Sequence, residues 1–303
     1  MTTENRTSKM VYDAVIVGGG PAGLSAALNL GRARKRVLLC DAGPRRNAAA
    51  EHIHGFVTQD GTTPEEFRRI GRRQLEPYPN VDVRDAPVEE IRGERGAFTV
   101  RLASGNVEAR RILLCTGMVD ELPDIEGFRA LWGRSIFQCP YCHAWEVQDQ
   151  RFGFLSPNVD ALDFALFLRG WTGDVTVLTD GRYAVPPEMR ERLTGGGVRI
   201  EERRIARLSA KEDRLDLVEF TDSDPLRLDV LFARPPQRQV AVVQALGLDL
   251  DSGGYVRLDE RRQTSIPGIY AGGDLITSAQ SAVLAAASGV QAAAMINHEL
   301  TLL

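Results

Sequence analysis

Val11-Tyr12-Asp13-Ala14-Val15-Ile16-Val17 runs directly into Gly18-Gly19-Gly20-Pro21-Ala22-Gly23. The first seven residues are apolar apart from Asp13 and have the length of a buried parallel strand. The glycines at 18, 20 and 23 have the spacing of a dinucleotide-binding turn. One permits a tight bend, one lets backbone amides approach a pyrophosphate, and one lets the next helix lie close on the strand. A helix from Pro21 to about Ala33 would point its positive end at that pyrophosphate. A second strand is predicted over Arg36 to Cys40 and ends in Asp41, about 20 residues on, where an acid accepts a ribose hydroxyl. A turn acid before Gly43 is the plainer alternative, and Cys40 reads as a buried small residue. Strand, glycine turn, helix, strand and acid in this order make an α/β nucleotide-binding fold.

Outward from this unit, Arg45-Arg46-Asn47 and His52-Ile53-His54-Gly55-Phe56 form a polar loop that either folds over a bound ring or is simply solvated. Pro64 to Leu75 reads as an amphipathic helix begun by a Thr cap. Ala97 to Leu102 and Val107 to Leu114 alternate around Ser104-Gly105-Asn106 as a hairpin that returns into Cys115-Thr116-Gly117. Pro123 marks a linker.

The middle of the chain repeats the pattern. Phe152 to Leu155, a helix over about Asp160 to Leu168, and Asp174 to Leu178 give strand, helix, strand; Val198 to Glu202, Leu215 to Phe220 and Leu226 to Phe232 follow as further strands. We read a duplicated nucleotide-binding fold. The copy is degenerate, because Ser156-Pro157-Asn158-Val159-Asp160-Ala161 stands at the glycine turn, with Ser156 and Asn158 in place of the approach glycines. The chain then runs through Thr264 to Ile269-Tyr270-Ala271-Gly272-Gly273-Asp274, a short strand into a turn that presents a carboxylate to a sugar-type hydroxyl. An Ala-rich helix over Ala279 to Asn297 has no acid at its N-terminus, and Leu300 to Leu303 either cover an apolar surface or fray.

Composition sets the class. At 303 residues with 43% hydrophobic side chains, the chain can fill two cores. Its 37 basic and 41 acidic residues give a net charge of −4, which favours neither nucleic acid nor an anionic membrane. Met1 to Met10 is polar and lacks a signal core, so a cytoplasmic protein is expected.

Four cysteines in a reducing compartment point to transient disulfides. Cys139-Pro140-Tyr141-Cys142-His143 can close a small ring, and we read it as a redox couple. A zinc site would need two more ligands, and none of Cys40, Cys115, His52, His54 or His298 makes a second pair of suitable spacing. No metal is expected. His143 beside the pair is a candidate acid/base, since an imidazole titrating near pH 6.5 is matched to thiol chemistry. A merely solvated histidine is the alternative.

The ordered set of Gly18/Gly20/Gly23, Asp41, Cys115-Thr116-Gly117, the CxxC and Ile269 to Asp274 resembles the low-molecular-weight thioredoxin reductase family over nearly the whole chain. The resemblance implies two Rossmann-like three-layer domains, the second inserted in the first: an FAD-binding domain over 1–119 and 239–303, and a middle domain over 120–238. It also implies a homodimer. Its cofactor-binding candidates in the first turn are Gly18, Gly20, Pro21, Ala22 and Gly23, followed by Asp41, Asn47 and His54. Thr116, Gly117, Gly273, Asp274, Ala279 and Gln280 complete the set, with Asp274 on the ribityl chain. Cys142 would face the flavin, and Cys139 would exchange with the partner. Reductases of the family carry Asp after the pair, whereas His143 resembles the Cys-x-x-Cys-His of gliotoxin- and holomycin-type dithiol oxidases.

The degenerate middle turn and Thr179-Asp180-Gly181-Arg182 leave NADPH and NADH doubtful as donors. The leading expectation is a disulfide reductase acting on a thioredoxin-like protein or a small-molecule disulfide. The alternatives are an O₂-dependent dithiol oxidase and a flavin redox sensor without turnover.

Overall fold

The computed structural model describes residues 11–43, 46–221 and 223–302. The polar leader over Met1 to Met10, Arg45 of the polar loop and Leu303 of the tail lie outside the described residues.

In chain order the first part gives β1 (Val11–Val17), α1 (Pro21–Arg32), β2 (Val37–Cys40), α2 (Pro64–Leu75), β3 (Val81–Arg84), β4 (Val88–Glu94), β5 (Ala97–Leu102) and β6 (Gly105–Leu114). The middle gives β7 (Val119–Asp120), α3 (Phe128–Leu131), β8 (Ile136–Phe137), α4 (Pro140–His143), β9 (Phe152–Leu155), α5 (Asp163–Leu168) and β10 (Val175–Leu178). It continues through α6 (Pro187–Gly195), β11 (Val198–Glu201), β12 (Ile205–Lys211), β13 (Arg214–Phe220), β14 (Ser223–Arg227) and β15 (Val230–Ala233). The last part gives β16 (Gln237–Arg238), α7 (Ala241–Gln244), β17 (Ile269–Ala271) and α8 (Ala282–Leu302). The fold is α/β, with two Rossmann-like units. The first holds the described residues up to Ala48, Thr62–Val119 and those from Gln237 onward; the second holds Ala49–Gly61 and Asp120–Pro236.

In the first unit the sheet order is β3-β2-β1-β6-β5-β4. β6 joins two kinds of structure. One edge pairs parallel with β1 along its length. The other pairs antiparallel with β5 over its first half and parallel with β17 over its second. Strand periodicity sends alternate side chains to opposite faces. Ala14 and Ile16 pack with Leu30 of α1 and Ile296 of α8, while Val15 and Val17 pack with Phe98, Val100 and Leu248. Each fully buried aliphatic chain contributes about 2 kcal/mol. The two helices touch through small residues, and a Cβ on Gly289 would lie 2.1 Å from the Ala22 carbonyl oxygen.

α8 starts three residues later than predicted and continues to Leu302, so most of the expected tail is helix. Its end is anchored inside the unit: Glu299 accepts from Arg111 Nη2 at 2.9 Å and from the Tyr270 hydroxyl, and all three residues are buried.

The second unit repeats the parallel core in the order β11-β10-β9-β15-β8. Its helix side buries Phe152 and Phe154 with Leu162, Ala165 and Leu193, and its meander side buries Leu155 and Leu231 with Leu215 and Val218. The single strand predicted over Leu226 to Phe232 is two strands. Asp229 lies between them and accepts from the Arg151 backbone N–H at 2.9 Å and from Arg151 Nε at 2.7 Å. The meander β12-β13-β14 is therefore a separate sheet from the parallel one. The helix predicted from Asp160 is a 3₁₀ turn, Val159–Ala161, followed by the six-residue α5. Among the described residues no helix is long and apolar enough to cross a membrane.

Candidate active site

In the glycine turn of the first unit, close packing requires glycine at positions 18 and 23 but not at 20. Gly18 donates its N–H to Cys40 O at 2.8 Å and has φ of 111°; a Cβ there would lie 2.3 Å from the Cys115 carbonyl oxygen. A Cβ on Gly23 would lie 1.8 Å from Gly18 O, so α1 could not pack where it does. Gly20 meets nothing within 4 Å. The protein itself does not require glycine at that position, so the open space suits a ligand. Pro21 and Ala22 begin α1, whose N-cap Gly20 supplies no side-chain bond and whose first turn carries no acid. Bare amides at a positive helix end form an anion cradle.

The remaining first-unit candidates gather at the ends of the parallel strands. Asp41 is buried; its Oδ1 accepts from Gly43 N at 3.1 Å, and its Oδ2 accepts from Arg68 and from Arg72 Nη2 at 3.2 Å. Both oxygens are engaged, but Oδ1 keeps a lone pair for a ribose hydroxyl. Gly117 has φ of 66° and open space at its Cβ, and the Thr116 hydroxyl donates to Gly117 O at 3.3 Å. Gly273, with φ of 88°, donates to Ser288 Oγ at 2.8 Å, which turns the chain so that Asp274 follows β17. Asp274 pairs with Arg46 at 3.1 Å, and Arg46 also donates to Gln280 Oε1 at 2.6 Å. Gln280 Nε2 in turn donates to Gln237 Oε1 at 2.8 Å. Ala279 N donates to Thr277 Oγ1 at 3.0 Å, and Asn47 is exposed. Arg46 and Gln237 were not predicted as site residues. A basic loop residue pairing with an acid 228 positions away leaves no local signal.

His54 falls in the second unit, where its Nδ1 lies 3.6 Å from Asp60 and its Nε2 lies 3.4 Å from Glu146.

The corresponding turn of the second unit is closed by its own side chains. Ser156 donates its N–H to Leu178 O at 3.0 Å, as Gly18 does to Cys40, but it is fully buried and its hydroxyl donates to Asn158 O at 2.8 Å. Asn158 caps the 3₁₀ turn, its Oδ1 accepting from Ala161 N at 3.1 Å. Asp160 and Asp163 lie in the first turns of the two short helices. Asp180 is likewise consumed internally: it accepts from Ile205 N at 2.8 Å and pairs with Arg182 at 3.0 Å. A cavity of about 210 Å³ lies beside it, lined by Asp180, Arg182 and Arg204.

Cys139 and Cys142 are half-buried thiols, not joined by a disulfide, on the single helical turn of α4. Cys139 is the N-cap, and Cys142 N–H donates to Cys139 O at 3.2 Å. The Cys139 thiol is pulled down to about 7, chiefly by the hydrogen bond from Cys142, with help from the Cys142 and Tyr141 backbone amides and Arg234, against burial. That thiol is half ionised near neutral pH and suited to attack.

The His143 ring stacks flat on Phe137, with centroids 4.4 Å apart and planes 8° apart. Both of its nitrogens are buried without a hydrogen-bond partner among the described residues. Burial holds its proton affinity below the ordinary imidazole value, Glu146 raises it, and His54 lowers it. Neutral imidazole offers a lone pair to a thiol proton. Among the described residues no three His, Cys, Asp or Glu side chains cluster to hold a metal ion.

A family profile described as pyridine nucleotide-disulphide oxidoreductase matches residues 12–289. The chain belongs to that family. The family implies FAD, and the open Gly20 cradle, the uncapped α1 and the Asp274 turn fit it. The chain is 30% identical to the thioredoxin reductase tcpT of Claviceps purpurea, covering 90% of this chain and 88% of that protein. Among solved structures, an oxidoreductase from Agrobacterium tumefaciens is 37% identical with a TM-score of 0.91, over 96% of this chain and 99% of the other. The structure of HlmI is 36% identical with a TM-score of 0.89, over 96% and 92%. The chain is a thioredoxin reductase-like oxidoreductase, an enzyme class that acts on sulfur groups.

Proposed function

We propose that this protein is an FAD-dependent dithiol oxidase that forms a disulfide in a small molecule, with O₂ as the final electron acceptor. The observation that supports this direction is the second unit's turn, in which the buried Ser156 side chain is spent on Asn158 O and the Asn158 side chain caps Ala161 N, an amide that a dinucleotide pyrophosphate would need. The chemistry of the pair starts from its oxidised form. One substrate thiolate attacks Cys139 Sγ; the Cys139–Cys142 bond breaks and Cys142 leaves as thiolate. The second substrate thiolate attacks the substrate sulfur of the mixed disulfide, closing the substrate's own S–S bond and releasing Cys139, which the Cys142 and Tyr141 amides stabilise as thiolate. The substrate loses two electrons and two protons, and His143 takes a proton from an attacking thiol. Bound FAD supplies the two-electron acceptor that lets the pair return to the disulfide, with Cys142 as the flavin-side thiol.

A second reading, an NADPH-driven disulfide reductase acting on a thioredoxin-like protein, is favoured by the names of the relatives. Mixing the holoprotein with a small dithiol in air separates the two. The oxidase reading predicts oxygen uptake and about one peroxide per disulfide without any nicotinamide; absence of oxygen uptake contradicts it. The working form is taken as a cytoplasmic homodimer, for which light scattering should give twice the 33.3 kDa of one chain.

A further inference from the structure

Tyr141 stands between the two cysteines of the pair, yet its side chain does not enter the core: the residue is 72% exposed. Its ring rests instead on two rings from α5 and the turn after it. Phe167 lies 5.7 Å away in a tilted pairing, and Trp171 lies 5.6 Å away, edge-on. Phe167 and Trp171 meet each other at 5.2 Å, also edge-on, so the three rings close a triangle. The triangle is rooted in the unit. Trp171 and Phe164 pack against the helix-side core, and Phe164 joins Phe167 at 5.8 Å and the buried Phe154 at 4.9 Å. Phe167 itself remains 42% exposed. The Arg234 guanidinium lies over Phe164, 3.9 Å from the ring centroid. β15 and β8 pair Phe232 with Phe137, and two residues beyond that pair stand Arg234 and Cys139. The aromatic path thus begins between the thiols and ends at a cation on the strand end beside Cys139. All of it belongs to the second unit.

A single exposed ring needs no explanation, but a connected set beside a reactive thiol does. We propose that Tyr141, Phe167 and Trp171 form the docking surface for the substrate, and that the substrate is a small aromatic dithiol whose ring stacks on them while its thiolate approaches Cys139. The proposal rests on the dithiol oxidase reading above and names its substrate class. Size favours a small molecule over a protein. Even with Trp145, which is 69% exposed, the exposed rings present roughly 400 Å², about half of what one side of a stable protein interface covers. Charge agrees, because the reacting form of a dithiol is an anion and Arg234 is the cation at that end of the path. Offset and edge-on ring contacts favour a planar ring over a flexible aliphatic chain.

The test compares two dithiols as donors to the holoprotein under nitrogen: benzene-1,2-dimethanethiol, which carries a ring, and dithiothreitol, which does not. Flavin bleaching over a range of concentrations gives an apparent second-order rate constant for each, and their ratio cancels any general effect on the thiol pair. Tyr141→Ala and Phe167→Ala should each lower the aromatic-to-aliphatic ratio about tenfold, chiefly by raising the concentration of aromatic dithiol at half-saturation. Tyr141→Phe should keep the wild-type ratio. Tyr141→Ala is decisive alone, since the ring it removes is mostly outside the core. An unchanged ratio in Tyr141→Ala overturns the proposal. If that variant instead weakens exchange with a thioredoxin and leaves the ratio in place, the surface docks a protein and the proposal is overturned as well. Wild-type protein that reacts with neither dithiol overturns the functional reading. The surface is then decided by titration with the cyclic disulfide of the aromatic dithiol, followed by tryptophan fluorescence: binding about tenfold weaker in Tyr141→Ala supports it, and equal binding or none overturns it.

Discussion

The turn at Gly18–Gly23 and the turn at Ser156–Ala161 occupy the same place after the first strand of two similar sheets, yet only one of them is open. In the first unit, Gly20 leaves space that no protein atom uses and α1 begins uncapped. In the second, Ser156 bonds across its own turn, and Asn158 caps a 3₁₀ turn followed by a six-residue helix. An amide capped by the chain's own side chain is not open to a phosphate, and Asn158 Oδ1 takes Ala161 N in this way. On the reading proposed above, the duplicated fold holds one nucleotide cradle and one structural turn, and the redox pair sits in the unit with the closed turn.

The comparison can be broken from either side. Gly18→Ala should have the largest effect, because its Cβ would meet the Cys115 carbonyl at 2.3 Å in a positive-φ conformation. We expect a loss of about 3 kcal/mol or more in denaturant unfolding, whereas Ser156→Gly at the equivalent place should cost about 1. Gly20→Asn copies the second turn into the first. A Cβ there meets no protein atom within 4 Å and the amide can cap α1, so stability should hold while purified protein loses its FAD absorbance; full retention of FAD would show that the space is not the cradle.

The thiols extend the contrast. Cys139 lies near 7, whereas burial pushes Cys40 up to about 11 and raises Cys115 further. Below its own value a thiol is protonated and unreactive. Iodoacetamide labelling of native reduced protein should therefore rise through about pH 7 at Cys139, a few times faster at neutral pH than an ordinary cysteine, and should spare Cys40 and Cys115. A labelling midpoint near 9 would remove Cys139 as the attacking thiol. The smallest effect is Asn158→Ala, which should cost about 1 kcal/mol of stability by removing the cap on Ala161 N; no change would mean that the turn is not held by that side chain.

Local pattern was enough for the parts of the fold where pattern and packing agree. β1, the start of α1 and the whole of α2 stand where periodicity, Pro at N1 and the Thr63 cap put them. Sequence reading failed where a long-range contact overrode the pattern. Leu226 to Phe232 is apolar enough for one strand, but Asp229 bonds to Arg151, 78 residues away, and divides it. β3 and β4 were missed because their residues are largely exposed and lack a clean alternation. In the candidate site, Ser156 and Asn158 could be read as missing glycines, but not as mutual partners. The approach of His54 to Glu146 brings together residues 92 positions apart that form no motif.

The central claim is that electrons enter from a dithiol and not from a nicotinamide, and anaerobic stopped-flow tests it most directly. Holoprotein mixed under nitrogen with dithiothreitol should lose its flavin absorbance, while NADPH and NADH should bleach it far more slowly, NADH being the faster of the two. Bleaching by NADPH at about 10 s⁻¹ or faster, an ordinary enzyme rate, would contradict the account: the turn at Ser156 and Asn158 would then open to a dinucleotide, and the protein would be an NADPH-driven reductase.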